Sequence, residues 1–149
     1  MKQKIDPQGL RRFPHFSQAV QVDTPARTLY IAGQAGDVTG DFAAQARTAW
    51  ANIEVLLSEA GMTRADVVKV TGYVVDREHV EVYRAIFLEV MGDVRPASTL
   101  VVCELIHPAM LVEIEAIAVA AGARVPGLIG GSHWERQPKR RSTSKSQLV

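Results

Sequence analysis

The chain has 149 residues, 47% hydrophobic and 22% charged, with a net charge of +1 and a single cysteine. That size and balance fit one globular domain with a sizeable core, and they exclude a disordered chain and an internal disulfide. No run approaches the roughly 20 apolar residues of a membrane span, and MKQKIDPQGLRRF lacks an apolar signal core, so the cytoplasm is the expected setting.

Charge divides the chain. Residues 1–121 hold 11 Lys and Arg against 15 Asp and Glu, a net −4; residues 122–149 hold 6 against 1, a net +5. The expected organisation is a single domain over 1–121 followed by a basic Gly/Pro/Ser-rich tail over 122–149. Such a composition reads first as a solvated, poorly ordered tail, with weak non-specific contact with phosphates at low salt as the secondary reading. The nearly complete absence of interleaved aromatics argues against specific nucleic-acid recognition.

In chain order, SQAVQV (Ser17 to Val22) and RTLYIAG (Arg27 to Gly33) read as strands joined by a hairpin connection containing Pro25. GQAGDVTGD reads as a loop, and its glycines lack the spacing of a phosphate cradle. From Asp41 the period changes: Phe42, Ala46, Ala49, Ile53, Leu56, Leu57 and Ala60 mark an amphipathic helix, capped by Asp41 and stopped by Gly61. DVVKVTGYVVD (Asp66 to Asp76) is a strand with Val68, Val70, Gly72 and Val74 on one face and Val67, Lys69, Thr71, Tyr73 and Val75 on the other. Residues 77–91 return to helical spacing, ended by Gly92. ASTLVVCEL (Ala97 to Leu105) and LVEIEAIAVA (Leu111 to Ala120) complete a β-β-α-β-α-β-β order, which predicts a two-layer α/β sandwich with both helices on one sheet face.

The last strand raises the functional question. Alternation places Val112, Ile114, Ala116, Ala118 and Ala120 on a wholly apolar face, and Leu111, Glu113, Glu115, Ile117 and Val119 on the other. Two helices cover one face only, so the face carrying the acids calls for another copy of the chain. A carboxylate in such a place is paired, hydrogen-bonded or protonated. One acid is expected in a structural salt bridge, leaving the other to bind a ligand or hold a water as general base. The four histidines show no ligand spacing, so no metal is expected. Cys103 reads as a buried structural thiol, with nothing visibly placed to lower its pKa.

FSQAV, LYIAGQ, QARTAWANIEVLLSEAG, DVVKVTGYVVD, VYRAIF, RPASTLV and VEIEAIA, taken together over residues 13–121, resemble the Rid family (RidA/YjgF, also labelled endoribonuclease L-PSP). The resemblance implies a chorismate-mutase-like fold, a homotrimer with a central barrel, and small-molecule clefts between subunits, with no cofactor. In deaminating members, enamines and imines such as 2-aminoacrylate are hydrolysed to keto acids. There an arginine in a Pro-Ala-Arg motif clamps the substrate carboxylate, a geometry suited to a guanidinium. A last-strand glutamate positions the attacking water.

Carried over by position, Glu113 takes the place of that glutamate and Gly33 that of a pocket glycine. Ser98 stands in the arginine's place, Ala32 where a serine is usual, and Phe16 where a tyrosine is usual. The expected function is therefore a Rid-type small-molecule protein with Glu113 as base or acceptor, poor at 2-aminoacrylate hydrolysis. One alternative keeps the deaminase activity, with charge supplied by Arg124 or another tail arginine. Arg95 is set aside because strand parity would turn it to the opposite face. Another alternative is a ligand sensor without catalysis. RNA cleavage has no catalytic signature in the sequence.

Overall fold

A computed structural model describes residues 2–5, 8, 14, 17, 19–22 and 26–122. The elements are β1 (Lys2–Ile5), β2 (Ala19–Val22), β3 (Ala26–Ala35), α1 (Phe42–Glu59), β4 (Val67–Val74), α2 (Val80–Met91), β5 (Ala97–Val102) and β6 (Val112–Ala121), with single 3-10 turns at Arg64–Asp66, Arg77–His79 and Gly92–Val94. Four strands form one sheet in the order β3-β6-β4-β5, in which β4 and β5 are parallel and β6 runs antiparallel to both neighbours. The predicted two-layer α/β architecture is the one observed.

The helices start and stop where their sequence says. Asp41 accepts the Ala44 N–H at 2.8 Å, closing the first turn of α1. Gly61 and Gly92, both at positive φ, follow the last turns of α1 and α2. Ala46, Ala49, Trp50, Ile53 and Leu57 of α1, with Tyr83, Ile86 and Phe87 of α2, pack on one side of the sheet against Val70, Val74, Val112, Ile114, Ala116 and Ala118. Among the described residues, no helix is long and apolar enough to cross a membrane.

Three local expectations fail for physical reasons. The hairpin between residues 17–22 and 27–33 does not form. β2 pairs instead with the unforeseen β1, Lys2 opposite Val22, in a separate two-stranded sheet. β3 pairs with β6, which sets Leu29 and Ile31 beside Ala118 and Ala116 in the core. The run KQKI gave no strand signal because its described side chains are polar and exposed.

At the start of β4 the pairing shifts: Val67 opposes Ala118 but Lys69 opposes Ile117, leaving Val68 as an extra residue. Val67 therefore joins the helix-side core and Val68 does not, reversing the expected faces of these two. β5 ends at Val102, short of the expected Leu105, because its partner β4 ends at Val74. The last bond of that ladder runs from the Cys103 N–H to the Val74 carbonyl at 3.0 Å.

Candidate functional site

The sheet face away from the helices is half-exposed at Glu113, Glu115 and Ile117 and buried toward its end, at Val119. The parallel register pairs Lys69 with Ala97, Thr71 with Thr99 and Tyr73 with Val101, so the odd positions of β5 face this side. Across β6, Thr71 opposes Glu115 and Tyr73 opposes Glu113. The open face thus carries Lys69, Thr71, Tyr73, Thr99, Glu113 and Glu115 in a polar band between apolar flanks.

β3 bulges beside this band. Ile31 opposes Ala116, while Gln34 opposes Ile114, so Ala32 and Gly33 together face the single residue Glu115. Gly33 sits directly under the neighbouring acid: a Cβ built at residue 33 would collide with the Glu113 carboxylate. The two residues carried over from the sequence, Gly33 and Glu113, are therefore brought into contact.

The two acids differ. Glu115 accepts a hydrogen bond from the Tyr73 hydroxyl at 3.2 Å. Burial, reinforced by the Glu115 charge and that bond, pushes the Tyr73 phenol above its ordinary pKa. Glu113 has no hydrogen-bonding or ionic partner among the described residues, and its side chain is half-buried. Lys69 donates to Thr99 Oγ1 at 2.6 Å and to the Val70 carbonyl at 3.3 Å. Burial lowers its ammonium pKa, an effect the Glu115 carboxylate opposes. The salt bridge expected for one of the acids is not found among the described residues; Glu115 is tied by a tyrosine hydroxyl instead, because Tyr73 and not a cation lies within its reach.

Other carried-over positions fall elsewhere. Ala32 is exposed on the bulge. Ser98 pairs with Val70 and so shares the helix-side face, opposite to Glu113 within one protomer. Phe16 lies outside the described residues, as do Arg124 and the rest of the tail from residue 123. Its neighbour Ser17 is buried, donating from Oγ to the Arg95 carbonyl at 2.8 Å and from its N–H to the Pro96 carbonyl at 3.2 Å. Arg95 has φ 49° and ψ 61°, left-handed backbone before β5 begins, so strand parity does not set its direction. Cys103 is half-buried just beyond β5 rather than fully buried.

Gln45 escaped the sequence reading. It is 1% exposed on α1, and its amide nitrogen donates to the Gly40 and Ala109 carbonyls at 3.0 and 3.1 Å. Its Oε1 accepts from the Leu111 N–H at 2.9 Å. This one side chain ties α1 to the segment that leads into Glu113. The available signal was a polar residue at helical spacing inside an apolar stripe, between Phe42 and Ala46.

The sequence profile of the family described as endoribonuclease L-PSP matches residues 8–120. The chain belongs to the Rid family. Among solved Rid structures, one from Yersinia pestis superposes with a TM-score of 0.70 at 32% identity, covering 80% of this chain and 98% of that one. RidA from an Antarctic Psychrobacter is 31% identical with a TM-score of 0.60, over 70% of this chain and 88% of its own. A RutC family protein of Pyrococcus horikoshii is 34% identical, covering 69% of this chain and 85% of the relative. The Rid fold accounts for the two-layer arrangement, with β6 and its two acids at the centre of the sheet.

Proposed function

We propose that this Rid protein binds a small carbonyl or imine compound in a cleft formed between copies of the chain, with Glu113 as general base or hydrogen-bond acceptor. Ala32 and Gly33, together with Ser98 and Phe16, line that cleft. The observation that carries the reading is the Glu113 carboxylate, which has no hydrogen-bonding or ionic partner among the described residues and lies over the bulge at Gly33. A base needs an open lone pair directed at a water or a substrate proton, and Glu115 has already committed one oxygen to Tyr73.

The same geometry supports assembly from more than one copy. Ser98 and Glu113 lie on opposite faces of their own sheet, so a ligand touching both positions needs them from different protomers. A homotrimer, as the family resemblance implies, meets that need and covers the open face.

Efficient hydrolysis of small imino acids is not expected. Hydrogen bonds to a charged group contribute about 1.5–3 kcal/mol each, so lacking a two-pronged clamp costs several orders of magnitude in kcat/KM. Lys69 does not replace it for a compact substrate. It opposes Ile117, four residues along β6 from Glu113, a distance of about 13 Å at strand spacing.

The test is keto-acid release from imino acids generated by an amino-acid oxidase, for the natural protein, Ser98→Arg and Glu113→Gln. Little release by the natural protein, a gain in Ser98→Arg and loss of that gain on adding Glu113→Gln are expected. Rapid release by the natural protein would show that another cation serves the cleft. Activity unaffected by Glu113→Gln would remove Glu113 from its role.

A further inference from the structure

The ladder between β3 and β6 is weakest where the candidate site lies. Past the bulge at Ala32–Gly33 only two pairs remain, Gln34 with Ile114 and Ala35 with Glu113, and there β3 ends and β6 begins. So short a ladder does not fix a strand end by itself, since terminal pairs open most readily. On its other edge β6 is held by β4, with Tyr73 opposite Glu113 and Val74 opposite Val112. The freedom left over is that of the β3 end relative to β6, and it changes how closely Gly33 meets the Glu113 carboxylate.

Helix α1 spans that gap from the core side. Gln45 and Asn52 are two turns apart, so they share one face of the helix, about 10.5 Å from each other along its axis. Asn52 donates from Nδ2 to the carbonyl of Ala35, the last residue of β3, at 3.2 Å. Gln45 accepts from the Leu111 N–H and donates to the Ala109 carbonyl, just before β6 starts at Val112. Directly after β3 the chain passes so close to the helix that a Cβ at Gly36 would collide with the Gln45 backbone. The end of β3 and the start of β6 are thus both fixed to one helix, itself seated in the core by Ala46, Ala49 and Ile53. A satisfied buried amide adds modest net stability, but its directional bonds fix the groups that it joins.

We infer that Gln45 and Asn52 are positioning residues of the candidate site, holding the Gly33 bulge and the Glu113 carboxylate in register through α1. Asn52 sets the β3 side and Gln45 the β6 side. The inference rests on the reading of Glu113 as the base or acceptor of the site. It places part of the machinery that orients this acid in the helix layer, within a single protomer.

The test is the coupling between Gly33→Ala and Glu113→Ala, read by urea denaturation of the full-length chain in the natural, Gln45→Met and Asn52→Ala backgrounds. Each background substitution should cut the coupling to less than half, because a strand end that can yield relieves the contact. Ile53→Val, a packing loss on the same helix, should lower stability and leave the coupling unchanged. Asn52 is only half-buried, so Asn52→Ala carries the test should Gln45→Met fail to fold. A second readout is the displacement of the Gly33 amide resonance caused by Glu113→Gln, which should shrink in the same two backgrounds. Coupling undiminished in the folded variants, diminished equally by Ile53→Val, or absent from the natural protein would each overturn the inference. These measurements read position and not turnover, so they are independent of the imine assay, in which Glu113→Gln decides the chemical role of the acid.

Discussion

Gly33 and Glu113 interact as a pair, and the pair can be measured. Alanine at 33 pushes its Cβ into the Glu113 carboxylate, which must turn aside from its resting rotamer at about 0.5–1.5 kcal/mol. Shortening the acid to Glu113→Ala makes room, so Gly33→Ala should cost much less in that background. A double-mutant cycle by urea denaturation should return a coupling energy of about 0.5–1.5 kcal/mol, and additivity would mean that the carboxylate does not occupy this position. Tyr83 is the opposite case, a buried hydroxyl with no partner among the described residues, and burial raises its pKa. Above pH 10 the unfolded phenol loses a proton that the folded one keeps, so stability falls as pH rises. Tyr73 contributes a slope of the same sign. Tyr83→Phe should flatten the decline above pH 10 and raise stability at pH 7 by up to about 1–3 kcal/mol. Urea midpoints at the two pH values check both, and a less stable variant at pH 7 would indicate a hidden partner. The acids and Gly33 were legible in the sequence through alternation and resemblance. The role of Tyr73 was not, because alternation puts it on the right face but cannot say which of two nearby carboxylates it reaches.

At the scale of elements, the helices were easier to read than the strand partners. Capping and apolar period are local, so Asp41, Gly61 and Gly92 marked the helix ends from sequence alone. Asp41→Ala should cost about 0.5–2 kcal/mol, measured by chemical denaturation. Pairing is not local: β3 joins a strand some ninety positions away, and nothing within RTLYIAG distinguishes β6 from β2 as its partner. The bulges at Ala32–Gly33 and Val68 were equally hidden, since each is defined by the opposing strand. Gln45 links the two kinds of element. Gln45→Met keeps the volume but strands the Leu111 N–H and the Ala109 carbonyl, at about 1–3 kcal/mol for a buried unpaired group. Amide exchange at Leu111 should accelerate in this variant, and unchanged protection would show that another group holds the segment.

For the whole molecule, the half-exposed sheet face is the dominant fact. It exposes Tyr30 (77%) and Val101 (36%) around the polar band, a surface suited to self-association. Sedimentation is expected to return a homotrimer, and Tyr30→Glu, by placing charge in that surface, should shift it toward monomer. A monomeric natural protein would leave the proposed cleft without its second wall. The central strand also governs how the chain reaches its fold. β6 is the last strand among the described residues yet lies between β3 and β4, so about three-quarters of the chain precedes it with two strand edges unpaired. Pairing over such separations is slow, and the waiting state is open to edge-to-edge association. Substitutions in VEIEAIA should therefore lower the yield of folded protein before they change what the folded protein does. A loss of cellular activity there has to be separated from a loss of soluble chain.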